Sequence, residues 1–109
     1  MTEYLQVSTA FTTRQDAAYL ARSATHSRLA AAAQVIGPVL SMNWHDGALV
    51  ETEEWQLVLR TRVERFDELT AYLVDRHPEP NPEIVGVPIV PGTRSYLNYL
   101  DRRTSPASL

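Results

Sequence analysis

Two long extended segments, residues 35–45 and 49–62, meet at Asp46-Gly47, and this pair constrains the fold more than any other feature of the chain. The dipeptide tolerates positive φ and suits the tight turn of a β-hairpin. In the second arm Trp55, Leu57, Leu59 and Thr61 alternate with Gln56, Val58, Arg60 and Arg62, the period of a strand with one face buried. Both arms exceed the usual strand of about 5–6 residues. Gly37-Pro38 interrupts the first arm, which predicts a bulge or an edge position there. A two-stranded arm that overhangs its sheet leaves backbone N–H and C=O groups unpaired along its edges, and this one carries Leu40, Met42, Trp44 and Trp55. Pairing between copies of the chain would satisfy both needs. The alternative is a monomer whose edges are blunted by Pro38, Pro88 and the Glu51, Glu53, Glu54 cluster.

The remaining segments supply the sheet and its cover. Leu5, Val7 and Thr9 alternate with Tyr4, Gln6 and Ser8, which predicts a strand over 4–10. A helix is predicted over 13–33, opened by a capping box of Thr12 and Gln15 and lined by Ala17, Ala18, Ala21, Ala24, Leu29 and Ala32. A second helix over 64–76 presents Phe66, Leu69, Thr70 and Leu73 on one side and stops before Pro78. A strand over 84–90 follows, and then a short helix with Tyr96, Leu97 and Leu100 inward; the residues from Arg102 onward are expected to form a loose tail. Strand, helix, strand, strand, helix, strand, helix is a single domain over 1–109 of the α+β class, in the split βαβ order of ferredoxin-like folds, with its helices expected on one face.

Composition narrows the chemistry. The 109 residues contain no cysteine and no lysine, so thiol nucleophiles, disulfides, zinc-thiolate sites, lysine Schiff bases and a Walker-type loop are all excluded. Net charge is −3 and the ten arginines are scattered, which argues against nucleic acid as a partner. No segment approaches the ~20 apolar residues of a membrane span, and no basic stretch precedes an apolar block near the start, so a cytoplasmic protein is expected.

Several segments in order and spacing resemble one family. LAAAAQVI at 29–36, WHDG at 44–47, EEWQLVLRTR at 53–62, HP at 77–78, PEIVGVPI at 82–89 and SYLNYL at 95–100 resemble the CutA family of divalent-cation tolerance proteins, whose pattern reads roughly LAACVNIVPG, W-E-G-K, EVLLLIKTR, HPYEVPEIIALPV and AYLxWL. The resemblance implies a ferredoxin-like subunit assembled as a homotrimer related in architecture to the PII signalling proteins, with each long hairpin joining its neighbour's sheet. It also implies a role in the response to divalent metal ions and a ligand cleft between subunits. For this chain the implied cleft residues are Arg60, Glu83, His77 and Tyr96, suited to a small anionic or zwitterionic ligand through charge-assisted hydrogen bonds.

Family members are linked to copper through thiols and the histidine of the HP motif. In this chain Ala32 stands at the LAAC cysteine and the first strand has no thiol, so soft ligands for Cu(I) are lacking. The candidate metal ligands are then His77 and His45, contributed by several subunits to Cu, Ni or Zn. His77 also has a structural reading, as a ring covering the end of the second helix, while His26 is read as solvated. The HPYEVPE pattern is HPEPNPE here, with Glu79 at the tyrosine; Ala48 replaces the lysine of the turn. Beside a binding or sensing module stand two other readings: an enzyme in which His77 or Glu83 moves a proton, and a scaffold that presents loops to a protein partner. No G-x-S-x-G, H-E-x-x-H or paired-carboxylate motif supports the enzyme.

Overall fold

A computed structural model describes residues 3–105. The elements are β1 (Tyr4–Phe11), α1 (Arg14–His26), β2 (Ala32–His45), β3 (Ala48–Arg62), a 3₁₀ turn (Val63–Arg65), α2 (Phe66–Arg76), β4 (Val85–Pro88) and α3 (Arg94–Thr104). The strands form one antiparallel sheet in the order β2-β3-β1-β4, as the ferredoxin-like reading requires.

Alternation decides which face of the sheet is buried. Leu5, Val7, Thr9 and Phe11 of β1 point the same way as Leu57, Leu59 and Thr61 of β3, and all are buried. Ala17, Leu20 and Ala24 of α1, with Leu69 and Leu73 of α2, close over them to form the core. Gly86 of β4 lies opposite Val7, where an added Cβ would come within 3.1 Å of the Phe66 ring.

Two details of α1 differ from expectation. Its cap is Thr13, not Thr12: Thr13 Oγ1 accepts from the Asp16 N–H at 3.2 Å. The helix also ends at His26, seven residues before the predicted 33. Arg28 takes a left-handed conformation (φ 63°), its N–H donating to Thr25 O and that of Leu29 to Ala24 O, both at 3.1 Å. This paired closure is the Schellman turn, in which glycine is the usual left-handed residue. Without glycine or proline nearby, the alanine-rich segment reads as helix although the chain has already turned. Leu29, Ala30 and Ala31 are instead a buried connection, held where Thr61 Oγ1 donates to Leu29 O at 2.8 Å and Ala31 N–H to Arg60 O at 2.8 Å.

The ribbon forms as predicted. Asp46 (φ 49°) and Gly47 (φ 81°) both lie at positive φ, the signature of a two-residue type I′ turn. The register shifts between Ile36 and Val39, at the expected Gly37-Pro38 bulge. A Cβ on Gly37 would stand 2.7 Å from Trp55 Cδ1, so close approach of the indole requires glycine there. β1 pairs with β3 only as far as Phe11 opposite Trp55, so residues 48–54 have no strand on that side among the described residues. Beyond the bulge Leu40, Met42 and Trp44 share a face with Leu49, and all four are exposed, Trp44 by 76%. The molecule is accordingly elongated, 48 × 30 × 21 Å.

α3 departs from the expectation that all helices share a face. Tyr4, Gln6, Arg60 and Arg62 point away from the core, and α3 packs on that side. Arg62 donates from Nε to Thr104 Oγ1 (2.8 Å) and from Nη2 to Thr104 O (3.2 Å), Tyr4 OH donates to Asp101 Oδ2 (2.9 Å), and Tyr99 OH donates to Ala31 O (3.2 Å). Polar side chains from the sheet thus hold the helix around buried Leu100. Arg102, Arg103 and Thr104, assigned from sequence to a loose tail, are helical, and Thr104 is buried; residues 106–109 of that tail lie outside the described residues.

Burial, then the hydrogen bond to Asp101 and its charge, raise the Tyr4 phenol above its usual value of 10.0. A folded-state value above the unfolded one means that the stabilisation is complete below about pH 10 and is lost as pH rises through the folded value. Tyr4→Phe should therefore cost about 1 kcal/mol at neutral pH and flatten the fall of Tm above about pH 10, measured by circular dichroism melts across pH.

Candidate functional site

Helix α2 ends at His77, whose N–H donates to Leu73 O at 2.8 Å before Pro78 ends the helical run. Its ring is buried and stacks on Phe11, centroids 4.3 Å apart and planes 15° apart. Nε2 lies 2.8 Å from Ala10 O, and Nδ1 lies 3.0 Å from the Glu79 backbone nitrogen. A carbonyl can only accept and an amide N–H can only donate, so the ring is the neutral Nε2–H tautomer. Both nitrogens are engaged in tying the end of α2 and the following proline-rich loop to the end of β1. A metal ion at His77 would have to displace one of these bonds.

His45 lies at the other end of the ribbon, exposed, with Nε2 3.5 Å from Asp46 Oδ2. It lines the same hollow as His77, a cavity of about 400 Å³ that is also lined by Trp44, Glu54, Glu79 and Glu83. These three carboxylates, with Asn43 and Asn81, make the hollow acidic and polar. Among the described residues no group of three or more His, Asp or Glu is placed to hold a metal ion. With no thiol and both His77 nitrogens occupied, the side chains of one chain do not fit an enclosed metal centre.

Arg60 and Tyr96 meet elsewhere. Arg60 donates from Nη1 to Tyr96 OH at 3.4 Å and from Nε to Gln6 Oε1 at 3.3 Å, on the face covered by α3. Gln6 is four residues from Ala10, a lining residue of the hollow, so the two groups are separated by about 13 Å along β1. The four expected cleft residues therefore form two pairs in one chain: Arg60 with Tyr96, and His77 with Glu83. Glu54, Asn43 and Asn81 escape the sequence reading. The alternation of β3 puts Glu54 on the face of Val58 and Arg60, but only the folded chain shows that it shares a hollow with the loop after α2.

A family model described as CutA1 divalent ion tolerance protein matches residues 5–103. The chain belongs to the CutA1 family. The divalent-cation tolerance protein CutA of Thermus thermophilus is 33% identical over 85 residues, 78% of this chain and 82% of that one. The Escherichia coli O139:H28 protein of the same description is 33% identical over 82 residues, 75% and 73% of the two chains. Among solved structures, the T. thermophilus divalent cation tolerance protein is 30% identical with a TM-score of 0.89, covering 96% of this chain and 100% of that one. CutA1 from Oryza sativa has a TM-score of 0.92 at 26% identity, covering 96% of each. The long ribbon and the α3 clamp thus belong to a CutA1 fold. Among the described residues no helix is long and apolar enough to cross a membrane.

The two hydrogen bonds and the stacked ring make His77 a structural tie, whatever else it contacts. His77→Ala should lower unfolding free energy by about 2–3 kcal/mol, read from urea denaturation. Nitrogen chemical shifts of the wild-type imidazole should report a proton on Nε2 and none on Nδ1; a doubly protonated ring near neutral pH would contradict the assignment.

Proposed function

We propose that the protein works as a homotrimeric binding or sensing module in the response to divalent metal ions, with its ligand site between copies rather than inside one chain. The observation that carries the reading is the ribbon that extends past β1, with residues 48–54 unpaired on one side and four large apolar side chains uncovered. Full burial of each of those side chains is worth roughly 1.5–3 kcal/mol, enough to drive association. The names of the relatives supply the divalent-ion role; the overhang supplies the physical need for copies.

Assembly also bears on the divided site. Arg60 with Tyr96 offers donors to an anionic group, and Glu83 beside Glu54 and Glu79 offers acceptors to a cationic one. The pairs belong to positions about 13 Å apart along the backbone of β1, and in the proposed assembly one copy supplies the donors and its neighbour the acceptors. A small anion or zwitterion is the class that this charge arrangement suits. Among the described residues His45, unlike His77, makes no ring hydrogen bond to backbone, and it is the better-placed imidazole for a divalent ion shared between copies. The engagement of both His77 nitrogens gives the proton-transfer reading no support.

The test is a thermal-shift screen of amino acids and small carboxylates against the purified protein, since a ligand that binds only the native form raises Tm by mass action. At least one compound should raise Tm of the wild type by several degrees and leave Arg60→Ala unchanged. A screen in which every hit acts equally on both forms would remove Arg60 from the site.

A further inference from the structure

We propose a second ligand site, for a small phosphate-bearing anion, in the hollow between the end of α1 and the last turns of α3. It lies outside the cleft described above and does not depend on it. The hollow has a volume of about 420 Å³ and is lined by Thr25, His26, Arg28, Ala30, Ala31, Tyr99 and Arg103. This is within the range of about 300–1,000 Å³ seen for small-molecule sites. A shallower surface lined by Tyr19, Arg22 and Ser23 adjoins it through the shared Thr25 and His26. Among the described residues no carboxylate lines either one, although the chain as a whole is acidic. Among the described residues Arg22, Arg28 and Arg103 form no ion pair.

The local geometry holds the Arg28 backbone and the Tyr99 ring in place. Arg28 occupies the left-handed position of the Schellman turn, where an L side chain costs about 1 kcal/mol relative to glycine. Tyr99 is held by its bond to Ala31 O, and the Arg103 guanidinium stands 5.8 Å from its ring. Thr25 Oγ1 is shielded from solvent and has no hydrogen-bond partner among the described residues. Two guanidinium forks and an imidazole are donors that a phosphate group takes.

A plainer account is that basic residues merely complement two helix C-termini. Each terminus carries about half a negative charge, so the two together offset roughly one cation. Three arginines leave a surplus of positive charge, which an anion can neutralise. A phosphate group fills only part of the hollow, leaving room for a small organic body beside Tyr99.

Arg28→Gly makes a clean test, because glycine suits the left-handed turn and removes the cation without threatening the fold. Inorganic pyrophosphate should bind the wild-type protein saturably, one per chain, by isothermal titration calorimetry in metal-free buffer at low ionic strength. Arg28→Gly and Arg103→Gln should each bind roughly tenfold more weakly, with Tm of Arg28→Gly unchanged or higher. Absence of saturable binding, or equal affinity in the wild type and both variants, overturns the proposal. So does binding confined to single-stranded DNA or anionic vesicles, which would make the patch a surface for polyanions.

Discussion

The backbone edge of residues 48–54 governs this molecule. β3 has 15 residues and β1 has eight, so β1 can satisfy only the half of β3 from Trp55 onward. Hydrogen-bonding groups on the rest of that edge, and on the outer edges of β2 and β4, need water or another strand. The apolar side chains favour the second. A ribbon made to stand in water would carry polar residues on both faces, whereas Leu40, Met42, Trp44 and Leu49 lie along one face of this one. Glu51 and Glu53 are interleaved with them, opposite Met42 and Leu40. Charges at those positions favour a specific, aligned partner over indiscriminate stacking of ribbons.

The rest of the fold serves to hold the base of that ribbon still. Helices α1 and α2 close one face of the sheet with an apolar core, and α3 closes part of the other with a polar clamp from Tyr4, Arg60 and Arg62. His77 fastens the third corner, joining the end of α2 to β1 through Nε2 and to the following loop through Nδ1. In the candidate site the histidine is therefore a fixed wall, and the variable chemistry belongs to the carboxylates and to His45 around it. Glu79 and Glu83 of the loop after His77 line the hollow, and Pro78, Pro80 and Pro82 restrict the backbone of that loop.

Much of this architecture is legible in the sequence because it follows from local rules. Asp46-Gly47 permits one kind of turn, alternation along β3 names the buried face, and Pro78 stops a helix wherever it falls. What cannot be read depends on contacts between distant residues or on an uncommon local choice. Nothing near Arg28 signals a turn, since arginine rather than glycine takes the left-handed position, and the end of α1 is hidden as a result. The side of the sheet on which α3 lies is decided by Arg62 reaching Thr104 and Tyr4 reaching Asp101, pairs 42 and 97 residues apart. The cleft residues follow from resemblance, which names positions but not distances. Their division into two pairs depends on register and twist.

Sedimentation equilibrium at micromolar concentration, with folding followed by circular dichroism in the same samples, tests the central claim most directly. The account requires a folded species of three times the 12.3 kDa chain mass. A fully folded single chain at that dilution would contradict it, because the ribbon would then stand uncovered in water without cost to the fold.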